Sequence, residues 1–405
     1  MSNYPLFSVM GIEIEYMLVD KETLNVKPQS DAILNLLAGW QANEISLGDI
    51  AVSNELVLHV LELKNSGPKP IGAPISAHFQ EAILKLQPLL AEYNLLLLPS
   101  GAHPWMDPRV ETRRWPHGNQ EIYQQYDRVF GCSGHGWSNL QSMHVNLPFA
   151  NDEEFCQLHN AIRLILPLLP ALAASTPFLD GEITGFQDSR LLYYGKNQQR
   201  IPSISGDIIP EFIHSQSQYE HEILKPMYRD ISRYDPEGIL QHEWLNSRGA
   251  IAKFEMMAIE IRLLDTQECV QADIAIAHLV FAILKKWHCD SHLYLEDPFD
   301  TKKLKALFEQ SIKDGLSVTV DDGFLLEQWQ LPKRTMTMRD IWSSLIESVS
   351  TELDEKSQLA LEHILRFGNL SERILKACKN NHNRSTLAHV YRQLSQCLLN
   401  NQLFY

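Results

Sequence analysis

The sequence has no excess of positive charge: 35 lysines and arginines stand against 50 aspartates and glutamates, for a formal charge of −15. That balance excludes a general binder of nucleic acid or of an anionic membrane surface, because either needs basic charge to displace counterions. Cysteine is scarce. Cys132, Cys156, Cys269, Cys289, Cys378 and Cys397 form no CxxC pair, and in a chain of 405 residues they read as reduced thiols. A disulfide frame or a zinc site is not expected from that spacing. No GxxxxGK[ST] segment is present, so phosphates would not be held by a P-loop. No basic segment followed by an apolar run opens the sequence, and a secretory signal is not expected. The most apolar stretches, 95–98 and 164–174, fall short of the ~18–20 uninterrupted apolar residues that span a bilayer. Pro167 and Pro170 interrupt the second. The expectation is a cytoplasmic protein with no membrane partner.

What is present describes a large folded chain. Apolar residues make up 44% and charged residues 21%, as in soluble globular proteins with a sizeable core. The length suits two ordinary domains or one large one. Residues 11–20, Gly-Ile-Glu-Ile-Glu-Tyr-Met-Leu-Val-Asp, alternate apolar and acidic side chains at first, with the period of a strand. Glu13 and Glu15 therefore share one face, and Ile12 and Ile14 the other. Further strands are expected over 57–64, 95–98, 142–149 and 256–264. Helices are expected over 31–40, 74–94, 120–130, 152–174, 208–234 and 270–287. Asn151 is placed to cap the helix at 152, and Pro88 to kink the one over 74–94. The polar stretch 102–118 and the Gly-, Pro- and Ser-rich stretch 176–206 read as loops, the second lying over a site. From residue 301 onward the pattern is mostly helical, with a short strand around 316–320. Composition breaks most clearly over 290–301, which divides residues 1–290 from a mainly helical region of 291–405 expected to pack on them. Strands interleaved with helices, but not in regular βαβ units, indicate an α+β fold.

Four of the expected strands carry groups able to bind a cation. Glu13 and Glu15 lie on the first. Glu55 and Glu62 are seven residues apart and have opposite parity on a continuous strand, so both face one site only if the chain bends between them. His144 and Asn146 share a face of 142–146, and Glu260 and Arg262 share a face of 259–262. Each has a plain alternative: solvated glutamates on an exposed strand, a hydrogen-bonded core histidine, a surface Glu260–Arg262 pair, or a solvated Glu62–Lys64 face. One account covers all four strands. A sheet face crowded with carboxylates and short of basic residues needs cations to offset the repulsion. Oxygen-rich ligation with a single imidazole suits Mg²⁺ or Mn²⁺ rather than structural zinc.

Four segments, taken in order and at these separations, resemble the glutamate–cysteine ligase and carboxylate–amine ligase family. They are Gly-Ile-Glu-Ile-Glu-Tyr at 11–16, Leu-Glu-Leu-Lys at 61–64, Ser-Met-His-Val-Asn at 142–146 and Ile-Glu-Ile-Arg-Leu-Leu-Asp at 259–265. Segments 99–104, 184–190 and 244–248 are also similar. The resemblance covers residues 9–290, and the remainder matches only in its helical character. It departs at Asn146, where the best-known carboxylate–amine ligases carry the second histidine of a His-x-His pair. The His-x-Asn form is similar to bacterial glutamate–cysteine ligases. The resemblance implies a glutamine-synthetase-like fold, a curved and mainly antiparallel sheet forming a funnel with helices on its outer face. It also implies that Glu13, Glu15, Glu55, Glu62, His144 and Glu260 ligate two or three Mg²⁺ ions. Arg262 would meet the transferring phosphoryl group, Arg190 and Arg248 would lie near substrate or phosphates, and Arg128 and Asn146 would contact nucleotide or substrate.

Amide formation from a carboxylate needs activation, because carboxylate oxygen is a very poor leaving group. The activity implied is an ATP-dependent ligase that phosphorylates the γ-carboxylate of glutamate. An amine, cysteine first among the candidates, then attacks the acyl phosphate. Metal ions and arginines would do the electrostatic work of a P-loop. Two other readings keep the fold: a phosphotransferase acting on a guanidino or carboxylate group, and a non-catalytic nucleotide-binding regulator. Intact Glu13, Glu15, His144, Glu260 and Arg262 argue against the regulator. The acceptor amine stays open, as does a homo-oligomeric state.

Overall fold

The alternation at 11–16 is realised in strand β1 (Val9–Asp20), the longest strand of the computed structural model, which describes residues 4–289, 300–379 and 381–405. The other strands among the described residues are β2 (Glu44–Ser46), β3 (Ile50–Asn54), β4 (Val60–Asn65), β5 (Lys69–Pro70), β6 (Leu95–Leu98) and β7 (Ser142–Pro148). They continue with β8 (Phe178–Leu179), β9 (Glu182–Ile183), β10 (Ala250–Lys253), β11 (Ala258–Asp265), β12 (Thr319–Val320) and β13 (Met336–Thr337). Nine of them form one sheet in the order β10-β11-β7-β1-β4-β3-β2, with β5 and β6 also paired to β1. Each of these pairings is antiparallel. The architecture is α+β, with β1 at its centre.

Period-two alternation gives the sheet two unlike faces. On one, Ile12, Ile14 and Tyr16 of β1 join Leu61 and Leu63 of β4, Val145 and Leu147 of β7, and Ile259 and Ile261 of β11, all buried. They share a hydrophobic core with the helices Ile75–Glu92, Asp152–Ile165 and Val270–Cys289. Each such side chain contributes roughly 1.5–3 kcal/mol on leaving water, so this face holds the sheet to its helices.

Local chemistry explains where elements differ from the sequence expectation. The expected strand 57–64 begins only at Val60, and Val57 makes an isolated bridge to Arg114. The hairpin β2–β3 has a short, polar first strand and turns at Gly48 with φ +100°, which left no apolar alternation to read. The helix expected from 208 starts at Gln216, because Ile208 sits at φ +67° and Ser215 caps the helix by accepting from Gln218 N at 3.0 Å. The loops expected over 176–206 hold the β8–β9 hairpin and the helix Ser189–Tyr194, and 102–118 holds the single turn Pro108–Glu111. The helix Ile75–Glu92 runs through Pro88. Asn151 caps the next long helix, accepting from Glu154 N at 2.9 Å. That helix tightens to a 3₁₀ turn at Leu166–Leu168, where Pro167 and Pro170 lack amide donors, and resumes at Leu169–Ala173. By length and composition Asp152–Ala173 could cross a membrane, but 89% of its apolar window is buried inside the protein.

The boundary expected over 290–301 falls, up to residue 299, outside the described residues. On its far side, Leu304, Trp329, Trp342 and Leu361 belong to the same hydrophobic core as the sheet. Two indoles fix that packing: Trp329 Nε1 donates to Leu164 O at 3.1 Å and Trp342 Nε1 to Leu168 O at 3.2 Å. Arg373, on the helix Leu370–Cys378, forms a fully buried ion pair with Glu268 and donates to Phe404 O at 2.7 Å and Gly368 O at 3.1 Å. Arg373→Met should therefore lower the unfolding free energy by about 3–5 kcal/mol, because Glu268 is left buried without its cation. The double variant Arg373→Met/Glu268→Leu should recover most of that loss in urea denaturation. A single variant as stable as the parent would mean that Glu268 finds water.

Candidate active site on the polar face of the sheet

Strand register assembles the second face. Glu13 lies opposite Lys64 of β4 on one side and His144 of β7 on the other, and Glu15 lies opposite Glu62. Glu62 lies opposite Ser53 of β3, and Asn146 opposite Glu260 of β11. Directly paired residues point to the same side of a sheet, so the strands deliver these groups to the face turned away from the core. Their carboxylates divide into two groups. Ligand atoms of Glu13, His144 and Glu260 lie within 4.8 Å of one another, and so do those of Glu15, Glu55 and Glu62. Glu55 reaches the second group because the chain leaves β3 at Asn54 and bends before β4 starts at Val60, the bend its parity demands.

In the first group, His144 Nδ1 stands 3.2 Å from Glu13 Oε2, and Asn146 Nδ2 donates to Glu13 Oε1 at 3.1 Å. Lys253 of β10 and Arg262 form ion pairs with Glu260, the latter at 2.9 Å. Neither pair has hydrogen-bond geometry, and among the described residues both oxygens of the buried Glu260 lack a hydrogen-bond partner. Burial opposes ionisation of Glu13, but the His144 hydrogen bond and the nearby Lys253 hold its carboxyl well below the usual range. Burial pushes His144 down to about 4 against the pull of Glu13. The imidazole is thus neutral at pH 7, the form that ligates metals.

The second group is short of positive charge. Ser142 donates to Glu15 Oε2 from its amide at 2.6 Å and its hydroxyl at 3.0 Å. Ser53 Oγ donates to Glu62 Oε1 at 2.9 Å, and Lys64 Nζ stands 3.1 Å from that oxygen. Burial, then the charge of Glu62, pushes Glu15 up to about 7. Burial, then Glu62 and Glu15, pushes Glu55 well above the carboxylate range, and burial with Glu13 raises Glu62. Three crowded carboxyls, Glu15 and Glu62 buried and Glu55 half-buried, beside a buried Glu260 that is paired with Lys253 and Arg262, fit hard divalent cations: one set offers three carboxylates, the other two carboxylates and an imidazole.

A cavity of about 380 Å³ opens over this face, lined by Glu15, Glu55, His144, Arg190 and Arg262 and walled by Tyr123, Tyr126, Trp137, Tyr194 and Trp244. Arg190 is carried by the helix Ser189–Tyr194, which Asp188 caps by accepting from Leu191 N at 2.8 Å. Its Nε pairs with the buried Asp265 at the end of β11. The other Asp265 oxygen accepts from Ser175 N at 2.8 Å, Ser175 Oγ at 3.1 Å and Thr176 Oγ1 at 3.1 Å. Gly101 packs on this carboxylate, where a β-carbon would stand 2.5 Å from Asp265 Cγ.

The three remaining expected residues lie outside the cavity lining. Arg248 grips Glu211 with two bonds of 2.6 Å and also donates to Ser203 O at 3.2 Å and Ile204 O at 3.3 Å, so it fastens 203–211 instead. Arg128 donates to Gln125 Oε1 at 2.8 Å along its own helix, Gln120–Phe130. Asn146 is bound to Glu13 on the sheet. Sequence reasoning missed Lys253, Ser53, Ser142 and the aromatic wall. Ile122, Tyr123 and Tyr126 sit at i, i+1 and i+4 on one helix, a stripe that could have been read. Lys253 joins the site through pairing of β10 with β11, a partnership no local pattern announces.

Solved structures share this fold. The crystal structure of glutamate–cysteine ligase from Francisella tularensis in complex with AMP superposes with a TM-score of 0.62, over 98% of this chain and 90% of that one, at 13% identity. A bifunctional glutathione synthetase from Pasteurella multocida gives 0.54 over 96% of this chain and 52% of its own, at 10% identity. These define the fold class: an α+β fold built on a large, mainly antiparallel sheet. Within it, the model of glutamate–cysteine ligase family 2 matches residues 9–393, and the chain belongs to that family of carboxylate–amine ligases. The match runs past residue 290 into the C-terminal helices, beyond the motif resemblance. A protein of Archaeoglobus fulgidus that carries no functional name is 31% identical over 400 residues, 98% of this chain and 100% of that one. A Cronobacter sakazakii protein, provisionally named glutamate–cysteine ligase 2, is 22% identical over 364 residues, 88% and 87% of the two chains.

The protonated group dictates a pH dependence. The Glu15 carboxyl keeps its proton to about 7, whereas the ordinary value is 4.5. Between those values the folded metal-free state binds more protons than the unfolded one, so its stability falls as pH rises across that window. A divalent cation must displace the protons, so Mg²⁺ affinity should rise from pH 6 to pH 8. Calorimetry in buffers of different ionisation enthalpy should register their release. Equal affinity at both pH values would show that the carboxyls are already ionised.

Proposed function

We propose that the protein is an ATP-dependent ligase that joins the γ-carboxylate of glutamate to an amine through an acyl phosphate. The observation that carries this reading is the pair of ligand groups side by side on one sheet face, beside two arginines in the same cavity. Glu13, His144 and Glu260 would hold one Mg²⁺ or Mn²⁺, and Glu15, Glu55 and Glu62 a second. Bound there, the ions would supply the positive charge that triphosphate needs in a site without a P-loop. AMP in the Francisella enzyme of the same fold supports nucleotide use here.

The chain's own residues account for the rest. Arg262 is held beside Glu260 and presents a planar guanidinium to the transferring phosphoryl group, where two-pronged donation matches the charge that develops. Arg190, fixed by Asp265, offers the second cation to a substrate carboxylate or a phosphate. A γ-carboxylate oxygen attacks the terminal phosphorus of ATP and the bond to ADP breaks. The amine then attacks the acyl carbon and phosphate leaves with the electron pair. Arg248 acts by fastening 203–211, and Arg128 and Asn146 act by supporting their neighbours. The site falls within the 1–290 region, and the described C-terminal helices from Thr301 onward brace it through the core they share with the sheet. The described cysteines are all free, as suits a reducing cytoplasm.

Two measurements test this reading. Arg262→Lys should bind ATP nearly as the parent does but lower kcat by about 10²–10³, because lysine keeps the charge and loses the fork. Parent-like turnover would make Arg262 structural. Glutamate labelled with ¹⁸O in its γ-carboxylate should pass one label to inorganic phosphate as the amide forms. Label in AMP, with pyrophosphate released, would mean an adenylate and overturn the acyl phosphate.

A further inference from the structure

The β10–β11 hairpin brings a lysine onto the first ligand group. Ile251 pairs with Glu260 and Lys253 with Ala258, so Lys253 stands diagonally across the hairpin from Glu260 on the same face of the sheet. Diagonal neighbours lie roughly 7–8 Å apart along the backbone, within reach of a long side chain. Strand register therefore sets this pair. Glu260 is buried, and each oxygen of its carboxylate faces one cation. Arg262 Nε, two residues along β11, stands 2.9 Å from Oε1, and Lys253 Nζ pairs with Oε2.

Charge balance gives the pairing a meaning. Glu13 and Glu260 carry the negative charge of the first group, His144 is neutral, and Lys253 and Arg262 offset the two carboxylates. A divalent ion on Glu260 would meet an ammonium on the same carboxylate, and cations that close repel strongly away from bulk water. Arg262 faces the cavity, where phosphoryl transfer employs it. Lys253 carries a point charge on a flexible four-carbon stem, and its side chain is 21% exposed, so the ammonium can turn to solvent without moving the backbone.

The second group offers a contrast. Lys64 Nζ stands 3.1 Å from Glu62 Oε1 and also 3.0 Å from Glu44 Oε2 on β2. An ion that takes Glu62 leaves Lys64 its pair with Glu44. Among the described residues the ion-pair partner of Lys253 is Glu260, and no second anchor waits for it.

We propose that Lys253 is a stand-in cation: its ammonium holds Glu260 in the metal-free protein, and a divalent ion binds the first group by displacing it. Lys253 thereby sets the metal affinity of that group, because each ion must break the Lys253–Glu260 pair to enter. This rests on the reading above, in which Glu13, His144 and Glu260 hold an ion, and adds the exchange that loading requires.

Mn²⁺ binding without nucleotide, followed by the paramagnetic resonance of the free ion, tests the exchange. Glu260→Gln identifies the first group as the binding that it weakens. At that group Lys253→Met should bind Mn²⁺ about tenfold more tightly than the parent, since no ion pair has to break. Equal or weaker binding would mean that the lysine stays beside the ion or helps to hold it, and would overturn the proposal. A parent that binds no Mn²⁺ would overturn the metal reading itself, and the exchange with it. Thermal unfolding gives a second readout. Lys253→Met should melt below the parent in EDTA and level with it in saturating Mn²⁺, whereas an equal deficit in both would make Lys253 a purely structural partner. A third measurement uses the parent alone and so does not depend on the variant folding. Amine-reactive labelling of Lys253, read by mass spectrometry, should be several-fold faster with Mn²⁺ than with EDTA. Labelling no faster with the metal would also overturn the exchange.

Discussion

Like charges held side by side out of water set the terms for this protein. Glu15, Glu55 and Glu62 crowd one patch of a sheet whose opposite face is mainly apolar, and Glu13 lies two residues along β1, grouped with Glu260 and His144. Such an arrangement persists only because burial of the apolar face supplies the stability that the polar face withdraws. The same chain segments do both. Ile12 and Ile14 bury where Glu13 and Glu15 repel, so the strand that anchors the core is the strand that carries the site. Natural sequences depart from low-energy choices at functional positions and offset the departure elsewhere, and here the offset lies one residue along the same strand.

A second layer of buried charge keeps the arginines in place. Asp265 closes β11, takes hydrogen bonds from Ser175 and Thr176, and clasps Arg190. The sheet thus ends in a carboxylate that orients a cation reaching the cavity from a separate helix. Gly101 leaves that carboxylate room. A preorganised cation needs no rearrangement when charge develops in front of it, and the rigid end of a strand is a suitable mount.

How much of this was legible in the sequence depended on range. The alternation at 11–16 gave β1 and its two faces, and the parity of Glu55 and Glu62 announced a bend that the loop between β3 and β4 supplies. The six acidic and imidazole residues come together, but their division into two groups of three is a matter of register between strands, which local pattern does not carry. Arg248 illustrates the limit most plainly. Its segment matched a motif near substrate, yet its guanidinium is consumed by Glu211 and by backbone carbonyls, contacts set by chain far away in sequence. The helix start at Gln216 was missed for a local reason, the left-handed backbone at Ile208, which β-branched residues rarely adopt.

The two indole hydrogen bonds have a consequence for how the molecule holds together. Trp329 and Trp342 reach carbonyls of Leu164 and Leu168, at the interruption where two prolines deprive the helix of its own donors. The defect in one half of the chain is thus the socket for the other. The sheet and the described C-terminal helices share side-chain hydrogen bonds to one interrupted helix as well as a single hydrophobic core.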